Sequence, residues 1–180
     1  MTIEIERKYL VRSDAWRQRA APGKPIRQGY LSGAPFPTVR VRIFDGVATL
    51  AVKGARIGLA RDEFEYPIPL GHAEHMLKRL CVRTIKKLRH RLDHHGVAWS
   101  IDEYRGAATG LVVAEIELDH IDQEFALPRW LGAEVTHDPR YRNSAIAVTG
   151  WSAPQDQDFT APIAAIWPPR RIASPPSVSA

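Results

Sequence analysis

Two glutamates and a lysine alternate within the first ten residues of this 180-residue chain. In an extended strand, Glu4, Glu6 and Lys8 point to the same side, because successive side chains face opposite ways. Two carboxylates at this spacing can bind one hard divalent cation, and the lysine ammonium can hold an anion that the cation also contacts. A half-buried strand with a solvated charged face gives the same pattern. Taken alone, the segment favours that simpler interpretation.

The same alternation of charge recurs in most of the strand-like segments that follow. Where one face of a segment is charged, the other is often apolar, as in the run of arginines and aliphatic residues over 38–44. The charges that share a face in this way are acidic at Glu4, Glu6, Glu63, Glu65, Asp102, Glu115 and Glu117, and basic at Lys8, Arg40, Arg42, Lys53, Arg61, Lys87 and Arg89. Lys86 makes the register ambiguous by one residue, and we assign Lys87 because it shares a face with Arg89.

Period-two alternation predicts eight β-strands, over residues 1–10, 26–32, 38–44, 47–53, 61–68, 82–93, 97–104 and 111–118. Asp45-Gly46 predicts a two-residue hairpin turn, and His94-His95-Gly96 a second turn. Helical periodicity and capping signals predict helices over 13–20, 69–81, 121–127 and 138–148. The last of these has Asp138 as its N-cap and Pro139 in its first turn. The predicted fold class is therefore mainly β, in an α+β arrangement.

Two arrangements of the strands fit this pattern. A flat antiparallel sheet would expose the charged face to water, whereas a closed sheet would turn that face inward. Unpaired buried charge costs several kcal/mol per ion, so a charged interior needs compensation. Metal ions bound to the carboxylates and phosphate bound to the cations would supply it. The pattern alone leaves the two arrangements open.

Composition restricts the class of protein. The chain is 44% hydrophobic and 25% charged, which is typical of a globular protein. It contains no apolar run of transmembrane length and opens on a charged segment, so we expect no membrane association. A single cysteine, Cys81, excludes an internal disulfide framework and favours the reducing cytoplasm. The net charge of +5 favours a polyanionic partner, either nucleic acid or a smaller phosphate.

Residue 150 is the predicted boundary between a folded domain and a tail. All the predicted strands and helices lie in residues 1–150, which suit one domain. Residues 151–180 contain 6 of the 14 prolines, among alanine and serine and without periodicity. This composition predicts a flexible C-terminal tail, in which Trp151 or Trp167 could still pack on the domain.

Beyond these patterns, the chain resembles a known family. Glu4-Ile5-Glu6-Arg7-Lys8 is similar to the ExExK signature of the CYTH superfamily, also called triphosphate tunnel metalloenzymes. The likeness continues in the same order through 28–31, 40–42, 49–53, 61–65, 87–89, Asp102, 115–117 and 134–143. Although the five-residue signature recurs by chance, the complete ordered set over residues 1–148 is specific.

The resemblance implies an eight-stranded antiparallel β-barrel that forms a charged tunnel, with helices packed outside. It implies a hydrolase of a linear triphosphate that depends on Mg²⁺ or Mn²⁺, with inorganic tripolyphosphate as the expected substrate. The alternatives are a nucleotide-directed member (class IV adenylate cyclase, nucleoside or thiamine triphosphatase) and a non-catalytic polyphosphate-binding module. The expected partner is a small-molecule triphosphate, and no nucleic acid is expected. The sequence leaves a homodimer open.

The resemblance and the chemistry of the side chains also imply roles for individual residues. The carboxylates expected to bind metal are Glu4, Glu6, Glu63, Glu65, Asp102, Glu115 and Glu117, with Glu4, Glu6 and Glu117 nearest the ion. The cations expected to bind triphosphate are Lys8, Arg40, Arg42, Lys53, Arg61, Lys87, Arg89 and Arg142. The catalytic residues are expected to be Tyr30, Lys87 and Lys8.

Tyr30 has two alternative functions in this assignment. A phenol with a pKa near 10 is a poor base at neutral pH unless a nearby cation favours its ionised form. Lys87 or a bound metal would be that cation, and Tyr30 would then take a proton from the attacking water. In the alternative, Tyr30 packs at the barrel entrance and only hydrogen-bonds the substrate.

Overall fold

The eight predicted strands form one closed barrel. The computed structural model describes residues 2–32, 37–81 and 83–151. Within this part of the chain, strands β1 to β8 are Thr2–Val11, Lys24–Tyr30, Thr38–Phe44, Val47–Lys53, Ala60–Pro67, Thr84–His94, Val97–Arg105 and Val112–Glu117. Each matches one predicted strand to within a few residues, and Val82, where the sixth was expected to begin, lies outside the described residues.

Neighbouring strands are antiparallel all the way round the barrel. Their order is β5-β4-β3-β2-β6-β7-β8-β1, and β1 returns to pair with β5 through Glu4 and Arg61. On its other edge β1 pairs with β8, where Glu6 is opposite Glu117. The sheet is therefore closed, and the alternative of a flat exposed sheet is wrong.

Two of the hairpins use the turn that the sequence predicts. Asp45 and Gly46 have φ angles of 52° and 79° between β3 and β4, and His95 and Gly96 have 54° and 78° between β6 and β7. Positive φ at both central residues defines the type I′ turn, whose twist matches that of paired strands. Both predicted turns are confirmed.

A ninth strand was not predicted. The four-residue strand β9, Leu131–Glu134, pairs with β1 beyond the end of β5. It is too short to show period-two alternation, and its second residue is glycine. The helix predicted over 121–127 is wrong, because this segment consists of turns and irregular chain. Its Phe125 packs against Trp99 instead, with the ring centroids 5.9 Å apart.

The remaining helices lie near their predicted positions. Helix α1 is Leu70–Arg79, and helix α2 is Asn143–Thr149. The predicted helix over 138–148 is interrupted at Arg142, whose backbone is extended, so that Asp138 caps a separate 3₁₀ turn at Pro139–Tyr141. Another 3₁₀ helix, Asp14–Gln18, stands where the helix over 13–20 was expected. No helix in the described ranges is long and apolar enough to cross a membrane.

Apolar side chains pack on both sides of the barrel wall. The outer Trp99 cluster joins β1, β7 and β8 to Trp16 of the first 3₁₀ helix and to Trp130. A second outer cluster places Ala73 and Leu77 of α1 against β3 and β4. The inner cluster lies at one end of the barrel interior, where side chains from β1, β6, β7 and β8 meet Ile146 of α2. These clusters leave the rest of the interior to charged residues.

The structure describes only the first residue of the predicted tail. Trp151 is half-buried beside the inner cluster, and its backbone N–H donates a hydrogen bond to the Ala107 carbonyl at 3.2 Å. The predicted flexible segment, residues 152–180, lies outside the described residues. The domain boundary at residue 150 therefore stays a prediction.

We expect Trp99→Ala to lower the free energy of unfolding by about 3–5 kcal/mol. Trp99 is fully buried and packs against the rings of Tyr9 and Trp130 at 5.8 and 5.9 Å. Denaturant unfolding followed by circular dichroism measures the change. Ile121→Ala is the control, because Ile121 is 55% exposed and should change stability by less than about 0.5 kcal/mol. Similar losses in the two variants would contradict this assignment of the outer core.

Candidate active site inside the barrel

A cavity of about 950 Å³ occupies the charged part of the barrel interior. Ten basic and seven acidic side chains of the described residues line it, so its charge favours a polyanion. The predicted site residues among them are Glu4, Glu6, Lys8, Tyr30, Arg40, Arg42, Lys53, Arg61, Glu63, Glu65, Lys87, Arg89, Glu115, Glu117 and Arg142. The strands position almost all of them, because alternate residues of a strand face the interior. Asp102 alone of the predicted set does not line the cavity.

Asp102 lies behind the cavity wall and holds two cations in place. Its carboxylate is fully buried, and it accepts hydrogen bonds from Lys87 Nζ at 2.5 Å and from Arg89 at 2.7 and 2.6 Å. Burial alone would raise the pKa of Asp102, but the charges of Lys87 and Arg89 outweigh burial and lower it. Asp102 is therefore ionised, and its contacts fix the two cations that face the cavity.

Glu115 continues this buried network toward β1. It accepts a hydrogen bond from Arg89 Nη2 at 2.7 Å and another from Lys8 Nζ. Lys8 in turn donates to Glu6 at 3.1 Å. Although burial disfavours the Glu115 carboxylate, Lys8 leads the nearby cations that hold its pKa well below the usual value.

The opposite wall has a matching network. Lys53 Nζ donates to Glu4 and to Glu63, both at 2.9 Å, and the Arg61 guanidinium also bonds Glu4. Glu63 then accepts from Arg40 at 3.3 Å. Three cations thus pair the carboxylates of this wall: Lys53 and Arg61 pair Glu4 of β1, and Lys53 and Arg40 pair Glu63 of β5.

Glu6 joins the two networks, because Arg61 also reaches it at 3.4 Å. Acidic and basic groups consequently alternate without a break across the interior, in an ion-pair series that runs Lys87, Asp102, Arg89, Glu115, Lys8, Glu6, Arg61, Glu4, Lys53, Glu63, Arg40, Glu65 and Arg42. Each charge that the barrel buries thus has a neighbour of opposite sign. This pairing makes a charged interior compatible with a folded barrel.

The cations retain donors for a ligand. Arg40 uses Nη2 for Glu63 and Glu65, while its buried Nε has no hydrogen-bond partner among the described residues. A buried donor without a partner is costly, and an anionic oxygen in the cavity would satisfy it.

Burial lowers the pKa of Lys87 to about 8 despite the adjacent Asp102.

Tyr30 faces the same cavity but is not bonded to Lys87. Its hydroxyl accepts a hydrogen bond from Gln28 Nε2 at 3.1 Å. Burial raises the pKa of Tyr30 to about 12, and the charges of Arg40 and Lys8 oppose that rise. The phenol is therefore protonated at neutral pH in this arrangement.

Asn143, the first residue of helix α2, joins the helix to the barrel beside the cavity. Asn143 Oδ1 accepts a hydrogen bond from the Tyr104 hydroxyl at 2.7 Å and from Lys87 Nζ at 3.3 Å. Arg142, which precedes it, lines the cavity. Sequence analysis did not assign Gln28, Tyr104 or the loop residue Arg56 to the site. Gln28 and Tyr104 do share strand faces with Tyr30 and Asp102, whereas Arg56 lies in no strand.

Glu6 and Glu117 offer oxygen donors for a divalent metal. They are direct cross-strand partners, and like charges in this position repel each other. No ion pair or hydrogen bond engages the Glu117 carboxylate within the described ranges, so a cation there would relieve the repulsion. In the same ranges no three Asp, Glu, His or Cys side chains form a metal-binding group by themselves. Mg²⁺ usually needs only one or two carboxylates, together with waters and substrate phosphates, so these donors fit it.

The chain is similar in sequence to known proteins of one family. Residues 2–145 match the model of the CYTH domain family. An inorganic triphosphatase of Acetivibrio thermocellus is 45% identical over 145 residues, which are 80% of this chain and 92% of the relative. An inorganic triphosphatase of Nitrosomonas europaea is 32% identical over 151 residues, covering 81% of this chain and 97% of the relative.

Solved structures show the same similarity. The crystal structure of the inorganic triphosphatase NE1496 superposes with a TM-score of 0.60 at 30% identity, covering 83% of this chain and 97% of that one. The PH1012 protein of Pyrococcus horikoshii has a TM-score of 0.51 at 19% identity, covering 65% of this chain and 80% of that one. This second likeness concerns the fold alone.

We expect Asp102→Asn to lower the free energy of unfolding by about 3–5 kcal/mol, because it leaves Lys87 and Arg89 buried beside a neutral partner. Glu117→Gln is the matched control, since it removes an exposed carboxylate without an ion pair and should leave stability unchanged within about 0.5 kcal/mol. Denaturant unfolding at pH 7 compares both variants with the wild type.

The same pair of variants gives a pH dependence. The pKa of Asp102 is lower in the folded protein than in an unfolded chain, so its stabilising effect is present above the unfolded pKa, near 4. The effect is lost as pH falls through the folded pKa. The deficit of Asp102→Asn should therefore shrink on acidification. A deficit that is constant between pH 7 and pH 3, or an equal deficit in Glu117→Gln, would contradict this function of Asp102.

Proposed function

Because the chain belongs to the CYTH domain family, we propose that it is an inorganic triphosphatase that hydrolyses a phosphoanhydride bond of tripolyphosphate inside the barrel. The observation that carries the proposal is the excess of basic over acidic side chains in the cavity. This excess remains although the ion-pair series already joins most of these charges to one another. Hydrolysis of a phosphoanhydride requires the charge on the phosphoryl oxygens to be neutralised in the transition state. Strand-borne arginines and lysines provide this neutralisation in fixed positions.

The cations divide between two walls of the cavity. Arg40, with its unpaired Nε, and Arg42 would grip phosphate on one wall, while Lys8 and Arg89 would do so on the other. Arginine suits phosphate because its planar fork binds two oxygens together, and lysine adds a point charge. Arg61, Lys53, Lys87 and Arg142 complete the proposed binding set.

The proposed metal is Mg²⁺ or Mn²⁺, held by Glu117 and Glu6 with Glu4 beside them. When bound, such an ion neutralises phosphoryl charge and orients the triphosphate. Glu63, Glu65 and Glu115 are tied to cations in the structure, and we propose that they hold those cations in position or bind a second ion. Asp102 acts through Lys87 and Arg89, which it fixes from behind the wall.

For catalysis we propose that the ionised form of Tyr30, its phenolate, accepts the proton of the attacking water. Its raised pKa means that cations must favour the ionised form, and Arg40, Lys8 and Arg61 already act in that direction. Lys87, held by Asp102 and Asn143, faces the same cavity, where it can donate to the phosphate. Lys8 would stabilise the charge that develops on the transferred group.

Phosphate release from tripolyphosphate, ATP and thiamine triphosphate tests the proposal directly. Each substrate is assayed with Mg²⁺, with Mn²⁺ and with chelator in place of metal. We expect kcat/KM to be highest for tripolyphosphate and to be lost with chelator. Higher kcat/KM on ATP or thiamine triphosphate would replace the proposal with the nucleotide- or thiamine-directed alternative. Tight binding of tripolyphosphate without turnover would indicate a polyphosphate-binding module.

Tyr30→Phe separates proton transfer from substrate binding. If the Tyr30 phenolate accepts a proton, kcat should fall by about 10²–10⁴ while KM stays constant, because the cations are unchanged. Since burial places the pKa of Tyr30 at about 12, the ionised fraction grows as pH rises. Wild-type kcat should therefore increase through the alkaline range, and the variant should lose this increase.

Tyr66→Phe is the control for this experiment, because Tyr66 lies on β5 with 54% of its surface exposed and points away from the cavity. It should leave kcat, KM and the pH profile unchanged. A Tyr30→Phe enzyme with raised KM, wild-type kcat and an unaltered pH profile would show that the hydroxyl only binds the substrate.

A further inference from the structure

Arg56 is a cation of the cavity that does not come from a barrel strand. It lies between Gly54 and Gly58, in the loop that joins β4 to β5. Its side chain is nevertheless 12% exposed and lines the cavity together with the strand-borne charges. The loop therefore returns a guanidinium to the interior, beside β1.

Two contacts hold this guanidinium. Arg56 Nη2 donates to Glu6 Oε1, and Nη1 donates to the Leu59 carbonyl at 2.9 Å within the same loop. Glu6 is the residue that joins the two networks of the ion-pair series, and it is the cross-strand partner of Glu117. Arg56 is thus paired with Glu6, one of the two carboxylates that face each other across β1 and β8.

Arg56 is an addition to the ion-pair series and not one of its links. Glu6 is already paired with Lys8 at 3.1 Å and with Arg61 at 3.4 Å, and the series remains continuous without Arg56. Removal of Arg56 leaves Glu6 compensated, so the barrel does not need it for stability. A charged group that the fold does not need, directed into the cavity, calls for a different explanation.

The backbone at Arg56 lies outside the barrel strands, unlike that of Arg61. Arg61 is fixed in β5 opposite Glu4 of β1. The loop is held mainly by the hydrogen bond from Gly54 N–H to the Asp62 carbonyl at 3.0 Å and by a tight turn between Ile57 and Ala60, with Gly58 at a φ of 64°. Arg56 lies between these two ties, so it can leave Glu6 without disturbing a strand.

We propose that Arg56 is an exchangeable counter-cation of Glu6, which it pairs in the free protein and releases when a divalent metal binds, then binding an oxygen of the incoming polyanion. The inference rests on the proposed function for the identity of that polyanion, a linear triphosphate. A metal and an arginine compete for the same carboxylate, whereas a phosphate oxygen and a carboxylate compete for the same guanidinium. The exchange keeps every group paired with an opposite charge.

The first test is Mn²⁺ binding by the full-length protein without triphosphate, followed by electron paramagnetic resonance of free Mn²⁺. Arg56→Gln removes the competing cation, so Mn²⁺ should bind about tenfold more tightly than to the wild type. Arg56→Lys keeps the charge and should bind Mn²⁺ nearly as the wild type does. The control is Arg19→Gln on the outside of the barrel, where Arg19 contacts the Asp93 carbonyl, and it should change nothing.

The second test is steady-state hydrolysis of tripolyphosphate at saturating Mn²⁺. Arg56→Gln should raise KM about tenfold and leave kcat within about twofold, because a binding contact is lost and the reacting groups are intact. Thermal melting of the variant should match the wild type. Unchanged Mn²⁺ affinity together with unchanged KM would overturn the inference and leave Arg56 as a tie of its loop.

Weaker Mn²⁺ binding by Arg56→Gln would also overturn it, because Arg56 would then be holding Glu6 in position for the metal. The metal measurement does not depend on turnover. If the wild type fails to hydrolyse tripolyphosphate while Arg56→Gln still tightens Mn²⁺ binding, the proposed function is wrong and the exchange at Glu6 is supported. The two proposals can therefore fail separately.

Discussion

The need to pair every buried charge governs the structure of this barrel. Thirteen side chains alternate in sign along the ion-pair series from Lys87 to Arg42, and most of them are buried or nearly so. A single buried ion without a partner would cost several kcal/mol, which is a large part of the stability of a domain. The Trp99 cluster and the packing of α1 outside the wall, with the inner cluster at one end of the barrel, supply the apolar burial that the charged part of the interior lacks. The cavity is thus organised for charge, and the apolar clusters around it hold the fold together.

The same pairing has a consequence for ligands. An anion bound to Arg40 or Lys8 weakens the pairing of that cation with its carboxylates, and a metal bound to Glu6 weakens the pairing of that carboxylate with its cations. Either ligand alone leaves some protein charges less well paired, whereas a metal and a polyanion together supply a new partner to both. Their binding should therefore be mutually favourable, and by linkage the increase in affinity is the same in both directions. In this protein a dependence of triphosphate binding on metal follows from electrostatics, before any chemical step.

Most of this architecture could be predicted from the sequence because charged and apolar side chains alternate with period two along the strands. Glu4, Glu6 and Lys8 on β1, or Arg40 and Arg42 on β3, need only the parity of a strand to be placed on one face. Parity on its own left a flat sheet open, and the family resemblance decided for the barrel. Other features had no periodic signal: β9 is four residues long, the segment over 121–127 is held by Phe125 on Trp99, and Arg56 reaches the cavity from a loop. These depend on tertiary contacts that no local pattern encodes.

Parity also could not separate residues of the same charge by function. Asp102 and Glu117 carry the same signal in the sequence, yet Asp102 is fully buried behind Lys87 and Arg89, while Glu117 is exposed to the cavity without an ion pair among the described residues. Asp102 does not line the cavity, and both of its oxygens are engaged by Lys87 and Arg89, so it offers none to a ligand there. One that faces another carboxylate, as Glu117 faces Glu6, gains from any cation that arrives. Position and pairing, rather than residue type, thus distinguish a carboxylate that supports the cavity wall, such as Asp102, from one that is open to a ligand, such as Glu117.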